Sequence, residues 1–158
     1  MFRVGVGFDA HRFDPEGKRP LKLGGVVVST ELSLKGHSDA DVLLHALTDA
    51  LLGAAGEPDI GELFPPSDPR WKNADSALFL KEALRRVRKK GFEVINADCV
   101  VVCDRPKISP VKGKIVENLA RLLGVPTDRV NLKGKTTEGL YSPEGISVIC
   151  TVLLGTVK

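Results

Sequence analysis

Two kinds of hydrophobic pattern follow one another along this chain, and their order predicts a fold in which helices pack on a sheet. Alternating or continuous apolar residues are typical of strands, and they occur at 2–8, 20–28, 92–103, 129–136 and 145–154. Apolar residues at helical spacing occur at 38–52, 75–90 and 109–123. This order predicts an α/β (α+β) fold, with helices on one face of a four-stranded mixed sheet and an additional N-terminal hairpin.

Helices on one face leave the other face of the predicted sheet without cover. Association of several copies through their sheets is one way to supply it. No repeat, low-complexity segment or linker divides the chain, so residues 1–158 are predicted to form a single domain. A domain of this length can bury a core without disulfides.

Composition argues against several classes of function. The formal net charge is only +3, and the one basic run, at 85–90, suits the solvated end of a helix rather than a nucleic-acid interface. No segment approaches the roughly 20 apolar residues of a membrane span. Asp9 follows the N-terminus too closely for a signal sequence. The three cysteines form no CxxC pair, which favours buried free thiols in a reducing, cytoplasmic location.

Capping residues indicate where the predicted helices begin. Ser38 and Asp41 form a capping-box pattern ahead of the first helix, and Ser109 is the predicted cap of the third. The Gly-, Pro- and Asp-rich segment 54–73 is predicted to be a long loop. Long loops inside compact domains are usually functional or disordered.

Three residues form a candidate metal site. Asp9 and His11 are two apart at the end of the first predicted strand, so their side chains point to the same face. His45 lies on the polar side of the first predicted helix. One carboxylate and two imidazoles suit zinc, with a fourth position open for substrate or water. The alternative is that Asp9 simply pairs with its neighbour His11.

Other polar segments suit phosphate groups. His37-Ser38 lies at the start of the first predicted helix, where free N–H groups and the helix dipole attract anions. Segments 103–107 and 133–138 each follow a predicted strand, and Glu138 suits a hard cation such as Mg²⁺. The spacing of a Walker A loop is absent. The alternatives are a Ser38 that only caps the helix and two segments that are ordinary turns.

The chain also carries, in order, a set of motifs that resemble one known family. The motifs are GFDAHRF, LKGHSDADVLLHALTDALLGA, PDIGELFP, NADS, RPK and GKTTEG. They closely resemble 2-C-methyl-D-erythritol 2,4-cyclodiphosphate synthases, enzymes of the non-mevalonate isoprenoid pathway. The likeness extends over nearly the whole chain.

This resemblance implies roles for individual residues. Asp9, His11 and His45 would bind zinc. Glu138 would hold a second divalent ion, Mg²⁺ or Mn²⁺, on the substrate diphosphate. His37 and Thr136 would stabilise the transition state and are the expected catalytic residues.

The resemblance further implies a substrate site between the subunits of a homotrimer. Residues 59–61 would contact the methylerythritol portion, and residues 103–109 would enclose the cytosine. The expected substrate contacts are Asp9, His11, His37, Ser38, Asp59, Ile60, Gly61, Phe64, Pro65, Ser67, Asp68, Cys103, Asp104, Arg105, Pro106, Lys107, Ile108, Ser109, Gly134, Lys135, Thr136, Thr137 and Glu138.

The implied reaction converts 4-diphosphocytidyl-2-C-methyl-D-erythritol 2-phosphate to a cyclic diphosphate with release of CMP. Two alternatives fit the residues: a zinc-dependent phosphohydrolase, and a non-catalytic module that binds cytidine nucleotides or isoprenoids. Two departures from the family pattern stand out. Pro66 occupies a position where many relatives have Asp, and segment 139–145 is shorter and lacks an arginine.

Overall fold

A computed structural model describes residues 1–157. The strands are β1 (Phe2–Arg12), β2 (Leu21–Leu23), β3 (Val26–Ser29), β4 (Phe92–Val102), β5 (Val130–Lys135) and β6 (Gly145–Thr156). The helices are α1 (Val42–Ala54), α2 (Ile60–Leu63), α3 (Ala77–Lys89) and α4 (Lys112–Leu123), with single 3₁₀ turns at Pro69–Trp71 and Thr127–Arg129.

The predicted four-stranded mixed sheet is confirmed. Its strand order is β1-β6-β4-β5. β6 is antiparallel to both β1 and β4, whereas β5 runs parallel to β4. α1, α3 and α4 cover one face and bury the core against it. The other sheet is the two-stranded β2-β3 hairpin.

Helix α1 lies unusually close to strand β1. A Cβ atom added to Gly7 would stand 1.9 Å from the carbonyl oxygen of Ala46, and one added to Gly5 would stand 2.0 Å from that of Ala50. Only glycine therefore permits this approach of helix and strand. The contact sets the height of α1 over the end of β1, which is where the candidate metal site forms.

The face of the sheet away from the helices is apolar and bare along β1. Phe2, Val4, Val6 and Phe8 alternate with Gly5 and Gly7 and are between 60% and 71% exposed. Ile149 on the neighbouring β6 adds to this surface. A contiguous apolar surface of this kind is typical of an interaction site.

The segment predicted as one strand at 20–28 is instead the β2-β3 hairpin. Gly24 and Gly25 form its turn, with positive φ angles of 64° and 81°. Both of their N–H groups donate to the carboxylate of Asp41. The turn is thus tied to the start of α1.

The predicted caps at Ser38 and Ser109 are wrong. Asp41 is the N-cap of α1, and its side chain accepts a hydrogen bond from the N–H of Leu44. Burial raises the pKa of this carboxyl group, although its three backbone N–H donors act in the opposite direction. α4 begins at Lys112 rather than 109, and its N-cap residue Val111 makes no side-chain bond.

The predicted loop at 54–73 has more local structure than expected. It contains α2 and the 3₁₀ turn at Pro69–Trp71, each started by an aspartate that accepts a backbone N–H. These residues are Asp59 and Asp68. Within residues 1–157, no helix has both the length and the apolar character required to cross a membrane.

Candidate active site

The three predicted metal ligands meet at one point. Oδ2 of Asp9 lies 2.8 Å from Nε2 of His11 and 3.2 Å from Nδ1 of His45. The two imidazole nitrogens are 3.3 Å apart. One possible ligand atom from each residue lies within 4.8 Å of the other two. The local Asp9–His11 pair therefore exists, but it is one side of a three-residue cluster.

Hydrogen bonds on the far side of each ring orient the two imidazoles. Nδ1 of His11 lies 2.7 Å from the carbonyl oxygen of Lys35, which can only accept, so this nitrogen donates and leaves Nε2 free as a ligand. Nε2 of His45 faces the hydroxyls of Ser76 at 2.7 Å and Ser38 at 3.2 Å. Two imidazoles held in this way beside a carboxylate are a fitting donor set for a divalent metal ion.

Contacts within the cluster shift the pKa values of Asp9 and His11. Burial alone would raise the pKa of Asp9, but the hydrogen bonds and charges of His11 and His45 outweigh it and lower that pKa below its usual value. Burial alone would lower the pKa of His11, but the contact with Asp9 raises it. Asp9 is thus held as a carboxylate, the form in which it binds metal.

The cluster opens into a cavity of about 230 Å³. Its lining includes five predicted substrate contacts outside the metal cluster: His37, Ser38, Ile60, Gly61 and Phe64. α2 supplies two of them, and Asp49 holds that helix by accepting the N–H of Ile60 at 2.7 Å.

Two aromatic wall residues and Pro66 complete this cavity and were not predicted. The rings of Trp71 and Phe79 pack against Phe64, with centroid distances of 5.1 Å and 4.5 Å. Phe79 lies on the apolar stripe of the second predicted helix, so the sequence pattern indicated only a core residue there. Trp71 is the single tryptophan, within the long loop, and a large aromatic in such a loop was the signal that could have found it.

The anion site predicted at the start of α1 depended on a helix beginning at Ser38. His37 and Ser38 lie ahead of the helix, and Asp41 takes the N–H of Leu44. Ser38 is buried, and its hydroxyl faces the His45 ring instead. His37 lines the cavity and its Nε2 lies 3.0 Å from the carbonyl oxygen of Asp68.

A separate cavity of about 490 Å³ lies at the ends of β4 and β5. Gly134 lies beneath Ile108 there, with room for no side chain, because an added Cβ would stand 2.7 Å from that of Ile108. The predicted contacts that line this second cavity are Cys103, Pro106, Lys107, Ile108, Ser109, Gly134, Lys135 and Thr136; Lys112, Leu132 and Lys133 are additional.

Other predicted contacts line neither cavity of this single chain; they are Asp59, Pro65, Ser67, Asp68, Asp104, Arg105, Thr137 and Glu138. Some of them have clear local roles. The N–H of Thr137 donates to Oδ1 of Asp104 at 3.0 Å and so joins the two loops beside the second cavity. Glu138 is exposed, has a φ of 55° and donates its N–H to Oγ1 of Thr136.

Segment 139–145 borders a further cavity of about 500 Å³. Arg12 pairs there with Glu144, and the N–H of Phe13 donates to the carbonyl oxygen of Glu144. Of the residues that line this cavity, only His11 is a predicted site residue. Cavity size therefore does not identify the chemical site in this chain, whereas the ligand cluster does.

Known proteins of similar sequence and structure identify the family. The YgbB family model matches residues 2–155. The 2-C-methyl-D-erythritol 2,4-cyclodiphosphate synthase of Aquifex aeolicus is 57% identical over 152 residues, 96% of each chain. A structure of such a synthase with CDP bound is 44% identical with a TM-score of 0.89, covering 97% of this chain and 100% of that one.

The bifunctional IspDF of Campylobacter jejuni has a TM-score of 0.95 and 44% identity to this chain. The match covers all of this chain and 43% of that one. The similarity thus corresponds to one part of a larger enzyme and to the full length of single-function synthases. On the family match and these relatives together, the chain belongs to the YgbB family of cyclodiphosphate synthases.

Proposed function

We propose that the chain converts 4-diphosphocytidyl-2-C-methyl-D-erythritol 2-phosphate into 2-C-methyl-D-erythritol 2,4-cyclodiphosphate and CMP, in isoprenoid precursor biosynthesis. The observation that carries this proposal is the convergence of Asp9, His11 and His45 at one edge of a cavity. The names of the relatives support the product, and the CDP-bound structures support a cytidine nucleotide as part of the substrate. Neither alternative function has an observation in its favour.

Two metal ions fit the proposed reaction. Asp9, His11 and His45 would hold Zn²⁺, since two nitrogen ligands and one oxygen ligand favour it over harder cations. The exposed Glu138 would hold Mg²⁺ or Mn²⁺ together with the diphosphate of the substrate. When bound, such ions neutralise phosphate charge and polarise the bond to phosphorus.

The side chains of the chain supply positioning and electrostatic stabilisation. An oxygen of the 2-phosphate attacks the β-phosphorus, the bond from that phosphorus to the bridging oxygen breaks, and CMP leaves with the electron pair. The attacking phosphate is already ionised, so no general base is required. His37 would donate to the developing charge from the wall of the first cavity, and Thr136 from the second. Holding both phosphates in line supplies much of the remaining acceleration.

The two cavities support a site shared between subunits. In one chain the metal ligands line the first cavity, and most of the predicted cytosine-enclosing residues 103–109 line the second. Association of three copies through the bare apolar face of β1 would allow one copy's second cavity to meet a neighbour's first. The exposure of Phe2, Val4, Val6 and Phe8 supports this homotrimer. A single domain over 1–158 and a cytoplasmic location remain part of the proposal, the latter supported by three free cysteines.

The test is the His45→Ala variant, assayed with the diphosphocytidyl substrate and phosphorus NMR of the products. We expect it to lose zinc and turnover while retaining its circular dichroism spectrum and its oligomeric state. The control is wild-type protein stripped of metal by a chelator and reloaded with Zn²⁺, which should recover activity. Unchanged turnover in His45→Ala would remove the metal cluster from the mechanism.

Phosphorus NMR also separates the alternative functions. A cyclic diphosphate supports the synthase, whereas inorganic phosphate or an open-chain monoester indicates a phosphohydrolase. Binding of CDP without any change in the phosphorus spectrum of the substrate indicates a binding module.

A further inference from the structure

Ser76 occupies a capping position but does not cap. It immediately precedes α3, where a serine hydroxyl normally accepts a hydrogen bond from the first turn of the helix. Its side chain makes no such bond, and its residue is fully buried. Oγ of Ser76 instead lies 2.7 Å from Nε2 of His45. Ser76 has helical backbone angles, and the neighbouring Asp75 accepts the N–H of Ala77 at 2.9 Å, so the Ser76 hydroxyl is free to bond elsewhere.

The direction of the Ser76–His45 bond follows from a third residue. The Ser76 hydroxyl also contacts Oδ1 of Asp39, and the Ser76 N–H donates to Oδ2 of the same carboxylate at 3.0 Å. A carboxylate can only accept, and a hydroxyl has one proton to give. The hydroxyl therefore donates to Asp39 and accepts from Nε2–H of His45. That leaves the lone pair of the ring on Nδ1, the nitrogen that faces Asp9 and His11.

Ser38 is a weaker candidate for the same task. Its hydroxyl lies 3.2 Å from Nε2 of His45, against 2.7 Å for Ser76. It has no carboxylate partner among the described residues, so nothing comparable fixes the direction of its proton. The His11 ring obtains its orientation separately, from the carbonyl oxygen of Lys35.

We propose that Ser76, held by Asp39, is a positioning residue that fixes the His45 ring with Nδ1 directed at the metal. The chain Asp39–Ser76–His45 is an outer layer of the metal site, supplied by the loop before α1 and by the start of α3. This inference rests on the proposed zinc site. It adds two residues that touch neither the ion nor the substrate.

The test measures the affinity of the full chain for Zn²⁺ alone, by competition with a chromophoric chelator and without substrate. Loss of an outer hydrogen-bond partner typically lowers metal affinity about 10- to 100-fold, and we expect a loss of that size for Ser76→Ala. The matched control is Thr48→Val, which removes another buried hydroxyl, bonded to the carbonyl oxygen of Leu44 at 2.6 Å, and touches no predicted ligand. We expect Thr48→Val to bind Zn²⁺ as the wild type does.

Asp39→Asn provides a second arm that keeps the Ser76 hydroxyl. An amide at this position can donate to that hydroxyl, which would then donate to Nε2 and move the ring proton to Nδ1. We expect weaker Zn²⁺ binding here too. In zinc-loaded wild-type protein, ¹⁵N NMR should show the His45 proton on Nε2, with slow exchange, and exchange should accelerate in Ser76→Ala.

Each outcome bears on a different claim. A wild-type chain with no measurable Zn²⁺ binding overturns the proposed zinc site and this inference with it. A wild type that binds Zn²⁺, with Ser76→Ala and Asp39→Asn both equal to Thr48→Val, overturns this inference alone. Metal-free melting curves identify any variant that has lost its fold, and the other variant then decides the question.

Discussion

Residue 7 has no side chain because the carbonyl oxygen of Ala46 occupies the space that one would need. The same holds for Gly5 and Ala50 one step earlier on the strand. These contacts place His45, one residue before Ala46, directly above the end of β1. The position of a metal ligand is thus set by two residues that carry no functional group.

Gly7→Ala should destabilise the protein and loosen the metal cluster. Overpacking of this kind typically costs about 1–3 kcal/mol, and α1 must move outward to admit the methyl group. The matched control is Gly53→Ala in the same helix, where the nearest atom to an added Cβ is 3.8 Å away. There alanine should raise stability by up to about 1 kcal/mol, because it favours helix more than glycine does. Thermal melts and Zn²⁺ titrations of both variants check this, and equal melting temperatures would contradict it.

Single residues show where sequence reasoning succeeded. Strand periodicity was sufficient to place Asp9 and His11 on one face, and the helical pattern was sufficient to turn His45 away from the core. The predicted cap at Ser38 is wrong because Asp41 caps α1 instead. Asp41 also accepts hydrogen bonds from the N–H groups of Gly24 and Gly25. That contact is distant in sequence, and a local motif cannot report it.

At the scale of elements, helix α3 pairs a glutamate with two arginines on its solvated face. Glu82 accepts hydrogen bonds from Arg85 and Arg86, at the spacings that bring side chains together on a helix. The hydrogen bond from Arg85 is the largest influence, and these contacts lower the pKa of Glu82 from 4.5 to about 2. The Glu82 side chain is partly exposed, so solvent screening reduces its contribution to stability.

This pairing predicts a specific pH dependence for Glu82→Gln. The folded-state pKa is lowered, so the stabilisation from Glu82 is present above its unfolded pKa and is lost as the pH falls from about 4.5 towards about 2. We expect a slightly lower melting temperature than wild type at neutral pH and no difference near pH 2. Glu117→Gln on α4 is the control, since Glu117 is exposed and has no ion-pair partner within residues 1–157. A pH-independent difference for Glu82→Gln would contradict this account.

Element boundaries were less predictable than element order. All of the main helices and the four sheet strands were placed in sequence by periodicity alone. The segment 20–28 was not resolved into β2 and β3, because two glycines inside an apolar run fit a bulge as well as a turn. α2 was missed because a helix of four residues has too short an apolar pattern to detect.

For the whole molecule, the helix order predicted a sheet with one covered face, and the structure has that sheet. The need for cover on the other face also followed from the order of elements. The number of copies and their arrangement did not, because a single sequence contains no information on which surfaces meet. The sequence likewise did not predict that the site residues of one chain line two separate cavities.

Val6→Lys should prevent assembly. Val6 is 66% exposed at the middle of the bare face, and a buried unpaired ammonium group is strongly unfavourable in an interface. We expect a monomer by size-exclusion chromatography with light scattering, and a loss of turnover. Leu78→Lys is the control, because Leu78 is 54% exposed on α3, on the opposite side of the sheet. A trimeric, active Val6→Lys protein would show that copies meet through some other surface.

Successive side chains of strand β1 point to opposite faces of the sheet and have different roles. Asp9 and His11 face α1, while Val6 and Phe8 face outward from the same eleven-residue strand. In the proposed trimer, a neighbouring copy that contacts the outer side chains would also restrain the backbone that carries the inner ones. Any change that self-association makes in the affinity for zinc must therefore be matched by an equal change that zinc makes in the free energy of self-association.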